Sequence, residues 1–251
     1  MTHGRADDGS SGHDVDIWWT DDVLPFADAA TSLSPTERAR ADRFHFDHDR
    51  QRFVARHAAL RTLLSTYAGC PPDALAVETA AHGRPYLAGH DAGIAFNLAH
   101  SGNAALYAVS PLPVGVDLEH IRVDLDLPGL VARICSRREQ SALAELRDAS
   151  LTAAFFACWT HKEAICKGDG RGLTLAPSTI DVADAITTGR ALADVPGPAT
   201  VAGWRSTSLA LAAGTAGAVA VPAGQRHRLV VRHLSRDAGG DGTRERPAAD
   251  H

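Results

Sequence analysis

The chain has 251 residues, a net charge of −5, 45% hydrophobic and 22% charged residues, which is enough for one large domain or two small ones with a buried core. That balance excludes the global basic field of a nucleic-acid binder, and no apolar run approaches the length of a membrane span. The four cysteines show neither CxxC nor zinc-finger spacing, and the polar start MTHGRADDGSSGHD has no apolar signal core, so a cytoplasmic setting is expected.

Residues 1–13 read as a disordered tail, being small, polar and Gly-rich. VDIWW (15–19) then predicts a strand. Ser34-Pro35-Thr36-Glu37 combines an N-cap serine, proline at N1 and glutamate at N3, so helical segments are expected from about 34 to 67. Within them Phe53, His57, Leu60 and Leu64 recur at helical spacing and place Arg52 and Arg56 together beside the stripe. Strands follow at about 75–79, 93–98 and 104–110, and Pro111-Leu112-Pro113 reads as a linker.

The order then repeats. VGVDLE (114–119) predicts a strand, 127–146 and 150–168 predict helices, and strands are expected at 178–183, 199–205, 208–213 and 216–221. The fold class is therefore α+β: an N-terminal half (14–110) and a C-terminal half (111–222), with antiparallel sheets. Residues 223–251 read as a C-terminal extension, mostly disordered from about 236.

Three segments could carry chemistry. Only two lysines occur among the 25 Lys and Arg residues, and both, Lys162 and Lys167, lie in WTHKEAICK (159–167). Lysine is a compact, rotatable charge with a proton it can give up, which arginine is not. In VGVDLE, Asp117 and Glu119 stand on one side of the strand, about 7 Å apart, and acidic residues are depleted in strands. They form either the wet face of an edge strand or a cation site. Glu163, in an otherwise apolar helix, is either an ion-pair partner of Lys167 one turn on or a third carboxylate for that cation. GDGRG (168–172) follows a helix instead of opening one, so it is a helix stop and not a dinucleotide fingerprint. Arginines crowd residues 38–61, which suits a ligand carrying several phosphates or a solvated face.

Together, GRP (83–85), FNLAHSG (96–102), GVDLE (115–119) and WTHKEAICK followed by GRGL (170–173) resemble the 4′-phosphopantetheinyl transferases of the larger, two-half, surfactin-pathway type. The resemblance covers roughly residues 15–222. It implies two similar halves in a pseudo-twofold arrangement with the ligand between them, in a monomer. It also implies transfer of the phosphopantetheine arm of coenzyme A to a serine of an apo acyl or peptidyl carrier protein, with release of 3′,5′-ADP. Mg²⁺, or Mn²⁺ in its place, would be held by Asp117, Glu119 and Glu163. Lys167 would contact the α-phosphate, and Lys162 belongs to the same motif. His100 would bind nucleotide phosphates and Arg84 the 3′-phosphate end, with Arg40, Arg52 and Arg56 of the basic helix adding contacts. Glu163 or Glu139 would take the serine proton, and residues 120–128 would form the carrier docking edge. Two departures stand out: Ala99 replaces the usual serine before the histidine, and Arg84 stands where lysine is common. The competing readings are a coenzyme A-binding module without transfer activity and a metal-dependent nucleotide pyrophosphate hydrolase.

Overall fold

A computed structural model describes residues 13–23, 29–80, 82–89, 93–195, 203–234 and 244–245. Both tails expected to be disordered lie largely outside these residues. Strand β1 (His13–Thr20) opens the chain, followed by helices α1 (Ala29–Ser32), α2 (Pro35–Ala41) and α3 (Asp47–Ala68). Ser34 caps α2 as its neighbours predict: its hydroxyl accepts from the Glu37 N–H, and the Glu37 carboxylate accepts from the Ser34 N–H. Glu37 also receives His57 and Arg61 from α3, so one carboxylate ties the two helices together. Strands β2 (Val77–Thr79) and β3 (Pro85–Leu87) form a small hairpin, and β4 (Ala95–Ser101) and β5 (Ala104–Ser110) a larger one.

The second half starts at β6 (Gly115–His120). It continues through α4 (Leu127–Ile134), α5 (Arg137–Ala144) and the long α6 (Asp148–Asp169) to α7 (Ala183–Thr188). Strands β7 (Arg190–Ala193), β8 (Trp204–Ser208) and β9 (Thr215–Pro222) complete its sheet, ordered β6-β9-β8-β7 and antiparallel throughout. The strand expected at 178–183 is a 3₁₀ turn (Pro177–Thr179) running into α7. The one expected at 208–213 is a loop anchored by Leu209 and Leu211 in the core. Apolar residues in a connection can seal a core without joining a ladder, and alternation alone does not distinguish the two.

Residues 227–233, within the segment read as a C-terminal extension, form a strand of the first half's sheet. Strand β10 (His227–His233) lies parallel to β1, placing Val231 opposite Ile17, and β11 (Arg244–Glu245) follows it in the order β11-β10-β1-β5-β4. The antiparallel expectation therefore has one exception, made by the chain returning to its own first strand.

β4 and β6 are the facing edges of the two larger sheets. No backbone ladder joins them. Instead Asn97 of β4 accepts the Val116 N–H (2.9 Å), and Ser101 accepts the His120 N–H (3.1 Å). An exposed strand edge is a liability for aggregation, and here each edge covers the other. Beneath the seam a shared core collects Val15, Ile17, Leu106, Val114, Val116, Leu118 and Val219, drawn from both halves.

α6 lies directly on β6 at two glycines. A Cβ on Gly115 would stand 2.0 Å from the Ala164 carbonyl oxygen and 2.4 Å from the Gly168 nitrogen, and a Cβ on Gly168 would stand 2.6 Å from the Trp204 ring. Only hydrogen fits at either place. Because β6 side chains alternate, the face that carries Gly115 against α6 also carries Asp117 and Glu119 beside it.

Candidate metal and phosphate site

Asp117 is buried, 5% exposed, on an edge strand whose acidic face could have been wet. Its Oδ1 receives Lys167 Nζ at 2.7 Å, while its Oδ2 is buried without a hydrogen-bond partner. Glu163 Oε1, one helical turn before Lys167, is buried and unpartnered too. Lys167 therefore pairs across to the strand instead of along its own helix. Glu119 Oε2 accepts the Ser101 hydroxyl at 3.0 Å. Burial pushes the Asp117 carboxyl above its usual range, with Glu119 adding to the rise and Lys167 opposing it. Burial, then Asp117 and Glu119, likewise push Glu163 up against Lys167. A cluster of this kind lacks positive charge.

Cations crowd the adjoining face. His100, exposed on β4, is pushed down to about 4 by the protein around it, then by Arg56 and Lys167 and by His57. Arg56 donates to the Gly102 carbonyl and keeps a buried, unpartnered Nε. Arg52 Nε donates to Asn103 Oδ1 at 2.9 Å. Both arginines thus reach the turn after His100. Arg84 Nη1 donates to the Gly168 carbonyl at 2.9 Å, joining the β2–β3 hairpin to the end of α6, where Gly170 closes the helix in the left-handed conformation. Arg40 lies elsewhere, over the Phe53 ring at 5.2 Å.

Two expected site residues are paired in the core instead. Lys162 and Glu139 are both 0% exposed and pair with each other at 2.8 Å. Lys162 also donates to the Pro177 (2.8 Å) and Ile180 carbonyls. Glu139 accepts the Val182 and Ser136 N–H groups, each at 2.7 Å, and is the capping-box glutamate of α5. Both Glu139 oxygens are engaged and the residue has no exposed surface. Conversely, Asn97 and Ser101 are absent from the expected set, although Ser101 holds Glu119 in place. The available signal was period-two alternation in FNLAHSG, which puts Asn97, Ala99 and Ser101 on one face.

The comparisons with known proteins agree with this geometry. Residues 113–220 match the model of the 4′-phosphopantetheinyl transferase superfamily, and residues 18–112 match that of the 4′-phosphopantetheinyl transferase N-terminal region. The chain belongs to the 4′-phosphopantetheinyl transferase superfamily. It is 40% identical over 149 residues to 4′-phosphopantetheinyl transferase HetI of Nostoc sp., covering 58% of this chain and 63% of that one. It is 31% identical over 147 residues to psf-1 of Bacillus pumilus (59% and 62%) and 27% identical over 152 residues to Sfp of Bacillus subtilis (60% and 66%). The matches thus span roughly three fifths of the relatives' length. As a member of the superfamily's Sfp-like type, the chain places its acidic strand and long helix inside the superfamily match and its arginine-bearing helix inside the N-terminal one. Among the described residues, no helix is long and apolar enough to cross a membrane.

Proposed function

We propose that this phosphopantetheinyl transferase moves the 4′-phosphopantetheine arm of coenzyme A onto a serine of an apo acyl or peptidyl carrier protein. The observation that carries the reading is the pair of buried, unpartnered carboxylate oxygens on Asp117 and Glu163, set beside the cations of Lys167 and Arg56 and the neutral imidazole of His100. Buried anionic oxygens without partners fit a hard cation, and Asp117, Glu119 and Glu163 are the residues that would hold Mg²⁺ or Mn²⁺. When bound, the ion would neutralise charge on the pyrophosphate during phosphoryl transfer.

The chain's own residues do the rest. Lys167, on a rotatable stem, exchanges Asp117 for the α-phosphate and steadies the leaving oxygen. His100, Arg52 and Arg56 take the nucleotide phosphates, whose negative charge replaces the mutual repulsion of the empty cluster. Arg84 receives the 3′-phosphate end. Glu163, beside the reacting end while holding the ion, accepts the serine proton. The carrier docks along residues 120–128, where Val123 is 86% exposed. Incubation with coenzyme A, Mg²⁺ and an apo carrier should add one phosphopantetheine mass to the carrier serine and release 3′,5′-ADP. No mass increase with any of a panel of carriers, or release of 3′,5′-ADP without a carrier, would overturn the proposal.

A further inference from the structure

Behind the acidic site, on the opposite flank of α6, two cysteines meet. Cys135 caps the C-terminus of α4 and Cys158 lies inside α6, 2% and 1% exposed. Their sulfurs and a Glu139 oxygen all lie within 4.8 Å of one another, the one such three-donor group among the described residues. Neither cysteine is in a disulfide, nor is Cys166.

Three donors at this spacing invite a metal reading, but the surroundings oppose it. Lys162 Nζ already sits 2.8 Å from Glu139, whose oxygens also accept two backbone N–H groups. An incoming dication would meet a buried ammonium and only part of one carboxylate. Two adjacent thiols have another course that requires no added charge. We infer that Cys135 and Cys158 are an oxidisable pair that closes an intramolecular disulfide between α4 and α6 under a peroxide.

The step balances. The Cys135 sulfur attacks one peroxide oxygen, breaking the O–O bond and leaving Cys135 as a sulfenic acid with release of water. The Cys158 sulfur then displaces the sulfenic hydroxyl, forming the S–S bond and releasing a second water. Two thiols are oxidised by two electrons and one hydrogen peroxide becomes two waters. The order of attack follows the local chemistry. The Cys158 thiol's hydrogen bond holds Cys135 below the ordinary thiol range, against burial and Glu139 and with help from Lys162. That same contact, with burial, pushes Cys158 up. Access comes through α4. Within this eight-residue helix only Ile134 is fully buried, with Leu127, Leu130 and Val131 partly buried against the core, so its opening would expose less apolar surface than opening α6.

The test is peroxide titration of the intact folded chain, followed by thiol counting, intact mass and peptide mapping. The expected result is loss of two thiols with loss of two hydrogens, and one cross-linked peptide pair joining Cys135 to Cys158. Cys135→Ser and Cys158→Ser should each abolish the cross-link, and Cys70→Ser should leave it unchanged. A second measurement covers a variant that fails to fold: in the wild type, the cross-link should form faster in mild denaturant that opens α4 than in buffer. Four other outcomes would overturn the inference: sulfinic acid on either cysteine without a cross-link, a cross-link to Cys166 instead, protection of the pair by added Zn²⁺, or thiols that react only in the fully unfolded chain. None of these outcomes depends on transferase activity.

Discussion

Replacing Lys162 by methionine tests whether the first motif lysine supports the fold or the chemistry. The substitution removes the ammonium and keeps most of the stem volume. It leaves Glu139 at 0% exposure with only the Ser136 and Val182 N–H groups as donors, while the Ile180 carbonyl loses the ammonium and the Pro177 carbonyl keeps only the Ile180 N–H. Breaking a buried ion pair from one side costs about 3–5 kcal/mol, and the orphaned Ile180 carbonyl adds to the loss. A loss of about 4 kcal/mol corresponds to a fall in Tm of about 8–16 °C for a chain of this size.

Glu139→Gln should cost less, about 2–4 kcal/mol, because its carbonyl can still accept from Val182 while its amide opposes the Ser136 N–H and Lys162. The double variant should lose less than the sum by about 1–3 kcal/mol, since the stranded charge is gone. Urea denaturation measures these terms. Coenzyme A binding and carrier modification at a temperature well below every midpoint measure function, and each variant should retain kcat/KM within about threefold. Wild-type stability in Lys162→Met would refute the pairing argument. A folded, fully stable but inactive Glu139→Gln would return Glu139 to the chemistry.

Glu163→Gln should leave stability without Mg²⁺ unchanged or raised, because it removes a carboxylate that burial and Asp117 oppose, yet it should abolish Mg²⁺-dependent thermal stabilisation. Carrier modification by that variant should fall at least ~100-fold; a retained Mg²⁺ shift in a thermal melt would remove Glu163 from the site. Gly115→Ala forces a methyl within 2.0 Å of the Ala164 carbonyl oxygen and 2.4 Å of the Gly168 nitrogen. It should cost about 3 kcal/mol and separate α6 from the acidic strand, so a wild-type urea midpoint would contradict the close packing.

Burial pushes Glu37 up, but His57, the Ser34 N–H and Arg61 more than offset it, and its carboxyl is held at about 2 against 4.5 unfolded. A depressed carboxylate stabilises the fold above its unfolded value and loses that contribution as pH falls through the folded one. Stability should therefore drop by about 3 kcal/mol between roughly pH 5 and pH 2. Glu37→Gln should flatten that part of a pH-dependent denaturation series; an unchanged slope would place the acid sensitivity elsewhere.

The parts of this site that sequence exposes are those governed by short-range rules. Alternation along VGVDLE put Asp117 and Glu119 on one face, helical spacing put Arg52 beside Arg56, and the S-P-T-E run marked the start of α2; the structure shows each of these. Partnership across space did not follow from such rules. Lys167 and Glu163 have the favourable one-turn spacing of an ion pair, yet Lys167 bonds Asp117 fifty residues away, because the glycine contact brings α6 onto the strand. Motif membership grouped Lys162 with Lys167, but the helix turns them to different sides, one into the core with Glu139 and the other toward the carboxylates.

Local periodicity, caps and the two lysines were thus enough to mark the acidic strand, the long helix and the residue types on which the proposed site is built. Long-range packing decided the rest. β10 pairs with β1 across more than two hundred residues, Asn97 and Ser101 stitch two sheet edges, and Cys135 meets Cys158 beneath α4. The physical reason is that side-chain direction follows from backbone period within one element. Which groups are buried together depends on how separate elements close on one another, and at this site that closeness rests on two glycines lacking a methyl group.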